Sequence, residues 1–298
     1  MPREQMHIGN AAGFSVDRMD VGGPVADSLI ASGKPAALFY ETLAERTLAI
    51  AQRERRANPE KGYTPDLAGF VGPVLKRCVE NGVPIIGNFG AANPMGAAKR
   101  LHALAKTQGI SGLRVAVVDG DDLRENIRGL QTQQWGEEKP LDLANTEILA
   151  ANVYMGSQPI ADALDQDPHV VVTGRVTDSA LTLGPLMQHF GWAADDWDKM
   201  AAGVLAGHLL ECGSQITGGY HADPGRKNVS GLAEVGFPIA EVEEDGSLVI
   251  TKPVGSGGVV NTRTVKEQIL YELDDPGNYL TPDVTLDITD VEVEQIGP

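Results

Sequence analysis

Several stretches of this sequence place chemically capable residues at spacings that a fold can use. In VVVTGRVTDSALTLGPL, residues 170–186, an unbroken β-branched apolar run gives way to a polar loop and then to helical apolar spacing. Arg175 carries a planar fork of donors suited to a carboxylate or phosphate, and Thr173, Thr177 and Ser179 add short-range donors and acceptors. Asp178 stands where a helix N-cap belongs and also qualifies as an acid/base group. Two readings remain open: an anion-reading corner, or Arg175 and Asp178 paired with each other while Asp178 caps its helix. Farther on, His208 and Glu211 are three apart, so on a helix they are neighbours and form a polarised imidazole with its carboxylate. The competing reading of His208 is a satisfied, half-buried histidine. The catalytic candidates are therefore His208, Glu211 and Asp178. The substrate-binding candidates are Asn10, Ser15, Arg18, Asn88, Asn93, Thr173, Arg175, Gln215, Gly218 and Gly219.

Asn10, Ser15 and Arg18 crowd polar chemistry into the loop IGNAAGFSVDR, whose Gly13 permits a tight turn. Asn88 and Asn93 belong to GNFGAANPMG, where Asn93 suits an N-cap and Pro94 the first helical position, so free N–H groups face an anion or simply start a helix. Neither loop has G-x-G-x-x-G spacing, and the second lacks the Lys-Ser/Thr of a P-loop. Asp119, Asp121 and Asp122 can hold a divalent cation, serve acid/base work or cap a helix expected near Leu123. A metal shared by His208, Glu211, His221 and Asp223 matches no zinc spacing. Cys212 needs a base to act as nucleophile, and a buried core cysteine is the commoner case. Gly255, Gly257 and Gly258 admit a phosphate-binding turn, a weak signal alone. The expectation is no cofactor and no metal, with a cation at Asp119, Asp121 and Asp122 as the minor alternative.

These residues need strands to carry them. Apolar runs over 7–9, 36–40, 84–88, 113–118 and 169–174 read as strands, each followed by a polar loop and a helix. Helices are expected over 25–32, 43–56, 67–81, 94–106 and 180–186. Five such repeats by residue 186 predict an α/β fold with a mostly parallel, doubly wound, Rossmann-like sheet, its polar loops gathered on one edge. Residues 131–142 read as a polar connection and 147–154 as an apolar stretch. Past residue 190 the rhythm changes: a helix from 194 to 212, a hairpin of 239–242 and 248–251 turning at Glu244-Asp-Gly246, a helix over 265–271, and alternation over 284–293. The expected division is a parallel α/β domain at 1–190, with a helix and a strand-rich portion at 191–298 closing the same site, or one continuous domain.

The chain has 298 residues, 24 Lys+Arg against 41 Asp+Glu and a formal net charge of −17, spread along its length. That field repels nucleic acid and anionic lipid, so an anionic substrate has to find locally placed arginines. Only Cys78 and Cys212 are present, without close spacing, and no run is long and apolar enough for a membrane span. The expectation is a cytoplasmic homo-oligomer.

The stretches IGNAAGFSVDR (8–18), GNFGAANPMG (87–96), VDGDDL (118–123), ANVYMGSQPIADAL (151–164), VVVTGRVTDSAL (170–181), GHLLECGSQITGGYHAD (207–223), GFPIAEV (236–242) and LYELDDPGNYLTPDV (270–284) resemble the acyclic terpene utilisation, or AtuA, family. The resemblance covers nearly the whole chain. It implies a role in bacterial breakdown of branched or terpenoid acids, on a CoA thioester or small carboxylate. Members of that family often continue into a small ferredoxin-like domain; the resemblance implies that it is absent from this chain or is a separate partner subunit. The reading is a catabolic enzyme acting on a small anionic branched acyl substrate by acid/base chemistry, of the hydratase, dehydratase or lyase type. Its rival is a non-catalytic ligand-binding or scaffold subunit that needs a partner chain.

Overall fold

A computed structural model describes residues 5–134, 136, 139–144 and 147–297. Of the polar connection expected over 131–142, Trp135, Glu137 and Glu138 lie outside the described residues.

Five parallel strands form the frame: β1 (Gln5–Asn10), β2 (Ala36–Tyr40), β3 (Ile85–Gly87), β4 (Val115–Val118) and β5 (Val170–Thr173). β6 (Ile239–Glu243) adds antiparallel to β1, and β7 (Leu248–Thr251) adds antiparallel to β6. The seven-stranded order is β4-β5-β3-β2-β1-β6-β7. In β2 every residue is buried and its side chains alternate between two clusters: Ala37 and Phe39 pack on one side, Leu38 and Tyr40 on the other. That is why AALFY and VVVT are continuous apolar runs: both faces of these central strands are covered.

One face is covered by α1 (Gly22–Ser32), α3 (Leu67–Asn81) and α4 (Pro94–Thr107), through Val25 and Leu29, Phe70 and Val74, and Leu101. The other is covered by α5 (Gln158–Leu164), α6 (Ala180–Phe190), α7 (Trp197–Leu210) and α8 (Thr262–Ile269), through Ile160, Leu183, Val204 and Val265. The remaining helix, α2 (Glu45–Ala57), packs Leu48 and Ala51 with Leu43, Ala91 and Ala92, residues of the loops that follow β2 and β3.

Several expectations are corrected. No α-helix follows Asp119, Asp121 and Asp122; the chain there makes an isolated bridge, Asp122 with Asn152, and a single 3₁₀ turn at Ile127–Gly129. Asp121 accepts from Arg175 and Asn152 and Asp122 from Gln52, so these acids tie the loop to distant segments. The C-terminal strand richness is partial. The 239–251 hairpin forms, with Gly246 at φ 90°. The 284–293 alternation yields only β9 (Thr285–Leu286), paired with β8 (Tyr279–Leu280), because no longer strand lies beside it. The helix expected over 194–212 spans Trp197–Leu210, and α8 starts three residues before the expected 265, where Asn261 closes a capping box with Thr264.

Candidate functional site

Because five parallel strands point the same way, the residues just past their ends share one edge, where open α/β sheets collect ligands. Glu41 is the first residue past β2 and is only 7% exposed. Its Oε1 accepts from the backbone N–H of Leu43 at 2.7 Å and from Asn88 Nδ2 at 3.0 Å. Asn88, the first residue past β3, is held in turn: its Oδ1 accepts from the N–H of Thr42 at 2.7 Å and from Thr42 Oγ1 at 3.3 Å. Burial pushes the Glu41 carboxyl up to about 7, helped by the charge of Glu211 and opposed by Asn88, Leu43 and Arg175.

Arg175, past β5, is likewise buried at 3%. Its backbone N–H donates to Asp121 Oδ2 at 2.8 Å, its Nη1 to the carbonyl of Leu43, and its Nη2 to Asp178 Oδ1 at 3.0 Å. Its guanidinium carbon lies 4.2 Å from the centre of the Tyr154 ring, a cation–π contact. The pairing that the sequence left open is therefore present. Asp178 is turned toward Arg175 and does not cap α6: the N-cap position is Ser179, with no side-chain cap bond. The Asp178 side chain is 29% exposed. Burial raises its pKa well above the ordinary carboxylate range, and the charges of Glu41, Glu211 and Glu45 push the same way against Arg175.

The end of α7 supplies the remaining groups. His208 Nδ1 stands 3.3 Å from Glu211 Oε1, and His208 Nε2 lies 3.1 Å from the carbonyl of Ile269 in α8. Burial disfavours the charged imidazole, yet the contact and charge of Glu211 outweigh it and raise the His208 pKa. Asn10, at the end of β1, donates through Nδ2 to the carbonyls of Leu210 at 2.9 Å and Glu211 at 3.2 Å, so it fixes the turn that presents Glu211. Gly207 makes this approach feasible: a Cβ there would lie 2.5 Å from Ser179 Cα. The Tyr279 ring packs 5.4 Å from that of His208. Cys212 sits among these acids with its thiol pushed up by burial and by Glu211, the opposite of what a nucleophilic thiolate needs.

Thus Asn10, Asn88, Arg175, Asp178, His208 and Glu211 are linked through contacts or mutual electrostatics, and Thr173 is buried at the same edge with Oγ1 bonded to the carbonyl of Gly174. Ser15 lines a small pocket beside Thr42. Arg18 is occupied by Asp20, with Nη2 at 2.6 Å and Nε at 3.0 Å. Asn93 caps α4 and donates to the carbonyls of Pro59 and Lys61, at 3.0 and 2.8 Å. The N–H groups of Gly218 and Gly219 donate to Gln215 and Ser214 carbonyls, and those of Gly257 and Gly258 to Glu234 and Ser230, so these glycines build turns. Gln215 sits in the 3₁₀ turn Gly213–Gln215, partly exposed. Glu41 and Tyr154 were missed as site residues; Glu41 follows an apolar strand just as Asn88 does, and that position was the available signal.

Asp121 accepts from Asn152 as well as Arg175, Asp122 from Gln52, and Asp119 from the N–H of Gly120. Among the described residues no three His, Cys, Asp or Glu side chains are grouped to hold a metal ion. Among the same residues no helix is long and apolar enough to cross a membrane.

Residues 6–298 match the family described as acyclic terpene utilisation family protein AtuA. The chain belongs to the AtuA family. Membership implies involvement in acyclic terpene utilisation, and the Glu41, Arg175 and Asp178 cluster lies within the matched residues. No curated protein and no solved structure is found to match the chain.

Proposed function

We propose that this AtuA-family chain is an acid/base enzyme acting on a branched acyl thioester, with Glu41 and Asp178 as its proton-handling pair. The observation that carries the reading is a charge imbalance. Glu41, Asp178, Glu211 and Glu45 are four carboxyls whose charges act on this cluster, against Arg175 and the His208 imidazole, whose pKa Glu211 helps to raise. His208 stands beside Glu211, Glu45 accepts from the Tyr154 hydroxyl, and Arg175 matches one of Glu41 and Asp178. In a poor dielectric the remaining carboxyl of that pair keeps its proton near neutral pH, which is the condition for a general acid.

Such a pair suits dehydration of a hydroxyacyl group, or its reverse. The protonated carboxyl gives its proton to the leaving hydroxyl, the C–O bond breaks and water departs. The other carboxyl, as its carboxylate, takes a proton from the neighbouring carbon, and the C–H electron pair becomes the double bond. The pair holds one proton before and after. A free carboxylate at the reacting end would add a further negative charge to an already over-acidic cluster, so a neutral thioester fits better there. The sheet is doubly wound in the Rossmann-like manner on this reading, supported by the return of the chain from β4 to β5, inside it in the sheet order.

The test is turnover of branched 2-enoyl and 3-hydroxyacyl CoA thioesters, followed by the conjugated thioester absorbance. Glu41→Gln is expected to cut kcat by about 10²- to 10⁴-fold with KM little changed. Equal rates in Glu41→Gln and wild type would remove Glu41 from the chemistry.

A further inference from the structure

The Nε of Arg175 is buried without a hydrogen-bond partner, although Nη1 and Nη2 are engaged. A carboxylate meets a guanidinium best through two parallel bonds, and Asp178 meets this one through a single bond of 3.0 Å. A competing acid stands close. Glu45, the first residue of α2, is exposed, and its charge acts on both Arg175 and Asp178. Tyr154 joins the two: its ring centre lies 4.2 Å from the guanidinium carbon, and its hydroxyl donates to Glu45 Oε1. Burial opposes the Glu45 charge, yet the Tyr154 hydroxyl, the Glu45 backbone and Arg175 outweigh it and lower the Glu45 pKa, so Glu45 is a carboxylate. Burial and that same bond push the Tyr154 phenol up to about 12, so it stays a donor. Tyr154 is 39% exposed, but its backbone is stitched down on both sides. Val153 donates its N–H to the Asp121 carbonyl at 2.9 Å, and Met155 donates to the Arg175 carbonyl at 3.4 Å and accepts from the Thr177 N–H at 2.9 Å. Residue 154 is thus pinned between the loops after β4 and β5, the second of which carries Arg175 and Asp178.

We propose that Tyr154 is a positioning residue: its ring covers one face of Arg175 and its hydroxyl occupies Glu45, so that the guanidinium stays with Asp178 and Glu41 and does not pass to α2. The inference deepens the reading of Glu41 and Asp178 as the proton-handling pair and rests on it, since the share of Arg175 that each receives decides which of them keeps the proton. The ring face attracts the cation without bringing another negative charge to it. Without the hydroxyl, Glu45 is released toward the open Nε. Asp178 then loses part of its cation. Asp178 faces Arg175 from its own loop, Glu41 from the loop after β2, Glu45 from α2, Glu211 from the end of α7 and Tyr279 from β8.

The experiment follows the Asp178 and Glu41 carboxyl carbons of the full chain by NMR from pH 3 to 9, each assigned by its loss in Asp178→Asn or Glu41→Gln. Tyr154→Phe keeps the ring and removes only a hydroxyl at a partly exposed position. It is expected to raise the Asp178 midpoint by about one pH unit, the scale on which an opposite charge acts when it moves away. In a Glu45→Gln background, which has no competing carboxylate, the same substitution is expected to move that midpoint by no more than about 0.3 pH unit. An unmoved midpoint in Tyr154→Phe, or a shift of the same size in both backgrounds, overturns the positioning role; a hydroxyl that merely supports the fold gives the second result. The comparison reads the same wherever the wild-type midpoint falls. Wild-type Glu41 and Asp178 that both titrate below about pH 5 would overturn the proton-handling reading by a separate result of the same titration.

Discussion

A carboxyl at the end of an apolar strand has little water to stabilise its charge, and Glu41 shows the consequence. Its folded pKa is about 7, above the ordinary glutamate value because of burial. The folded state therefore binds a proton more tightly than the unfolded chain does. The resulting stabilisation is fully present below the unfolded value of about 4.3 and is lost as pH rises through about 7. Chemical denaturation of Glu41→Gln across pH 4 to 8 should show that slope reduced, with an effect on the order of 3 kcal/mol over the interval. An unchanged slope would mean that Glu41 ionises normally. His208 acts with the same sign: its raised pKa, held up by Glu211 against burial, stabilises at low pH and loses that contribution as pH rises through the raised value. At this scale the sequence was partly legible. His208 and Glu211, three apart, carried a spacing signal; Glu41 stood alone, with only its place after AALFY to mark it. Its partners come from β3, β5 and α7, and no local pattern encodes that meeting.

At the level of elements, β5 and α6 hold Arg175 and Asp178, and α7 brings the end that carries Glu211. Removing Arg175 leaves Glu41 and Asp178 without their cation. Arg175→Met is expected to lower stability by about 3–5 kcal/mol in urea unfolding, because a buried charge without its partner is costly. Pairing Arg175→Met with Asp178→Asn should recover part of that loss; additivity of the two would show that they do not interact. Gly207→Ala probes the closest approach of α7, since its Cβ would meet Ser179 backbone at 2.5 Å. It should cost about 1–3 kcal/mol and displace Glu211 relative to Asn10. Wild-type stability in that variant would mean that the two segments are not in contact. The strands that frame the site were legible as continuous apolar runs, since burial on both faces leaves that signature. The antiparallel addition of β6 to β1 was not, because pairing Gln5 with Glu243 is a long-range choice. The 284–293 alternation misled for the converse reason: period-2 patterning makes a strand only where a partner strand lies alongside.

For the whole molecule, the formal net charge of −17 sets a field that strengthens the penalty on every buried carboxylate. Salt should therefore raise the thermal midpoint of the wild type by screening surface repulsion, while leaving the Arg175→Met difference largely intact, because buried pairs are screened far less. If salt erases that difference, the cluster is solvated. The same global charge makes the retained proton the centre of the account, since acids outnumber basic groups in this cluster of a negative molecule. The most direct test is infrared difference spectroscopy of the carboxyl C=O stretch from pH 5 to 9, on wild type, Glu41→Gln and Asp178→Asn. A protonated carboxyl that titrates near 7 and vanishes in one or both variants is the predicted result. Complete ionisation of every carboxyl below about pH 5 would contradict it and leave the cluster without its acid.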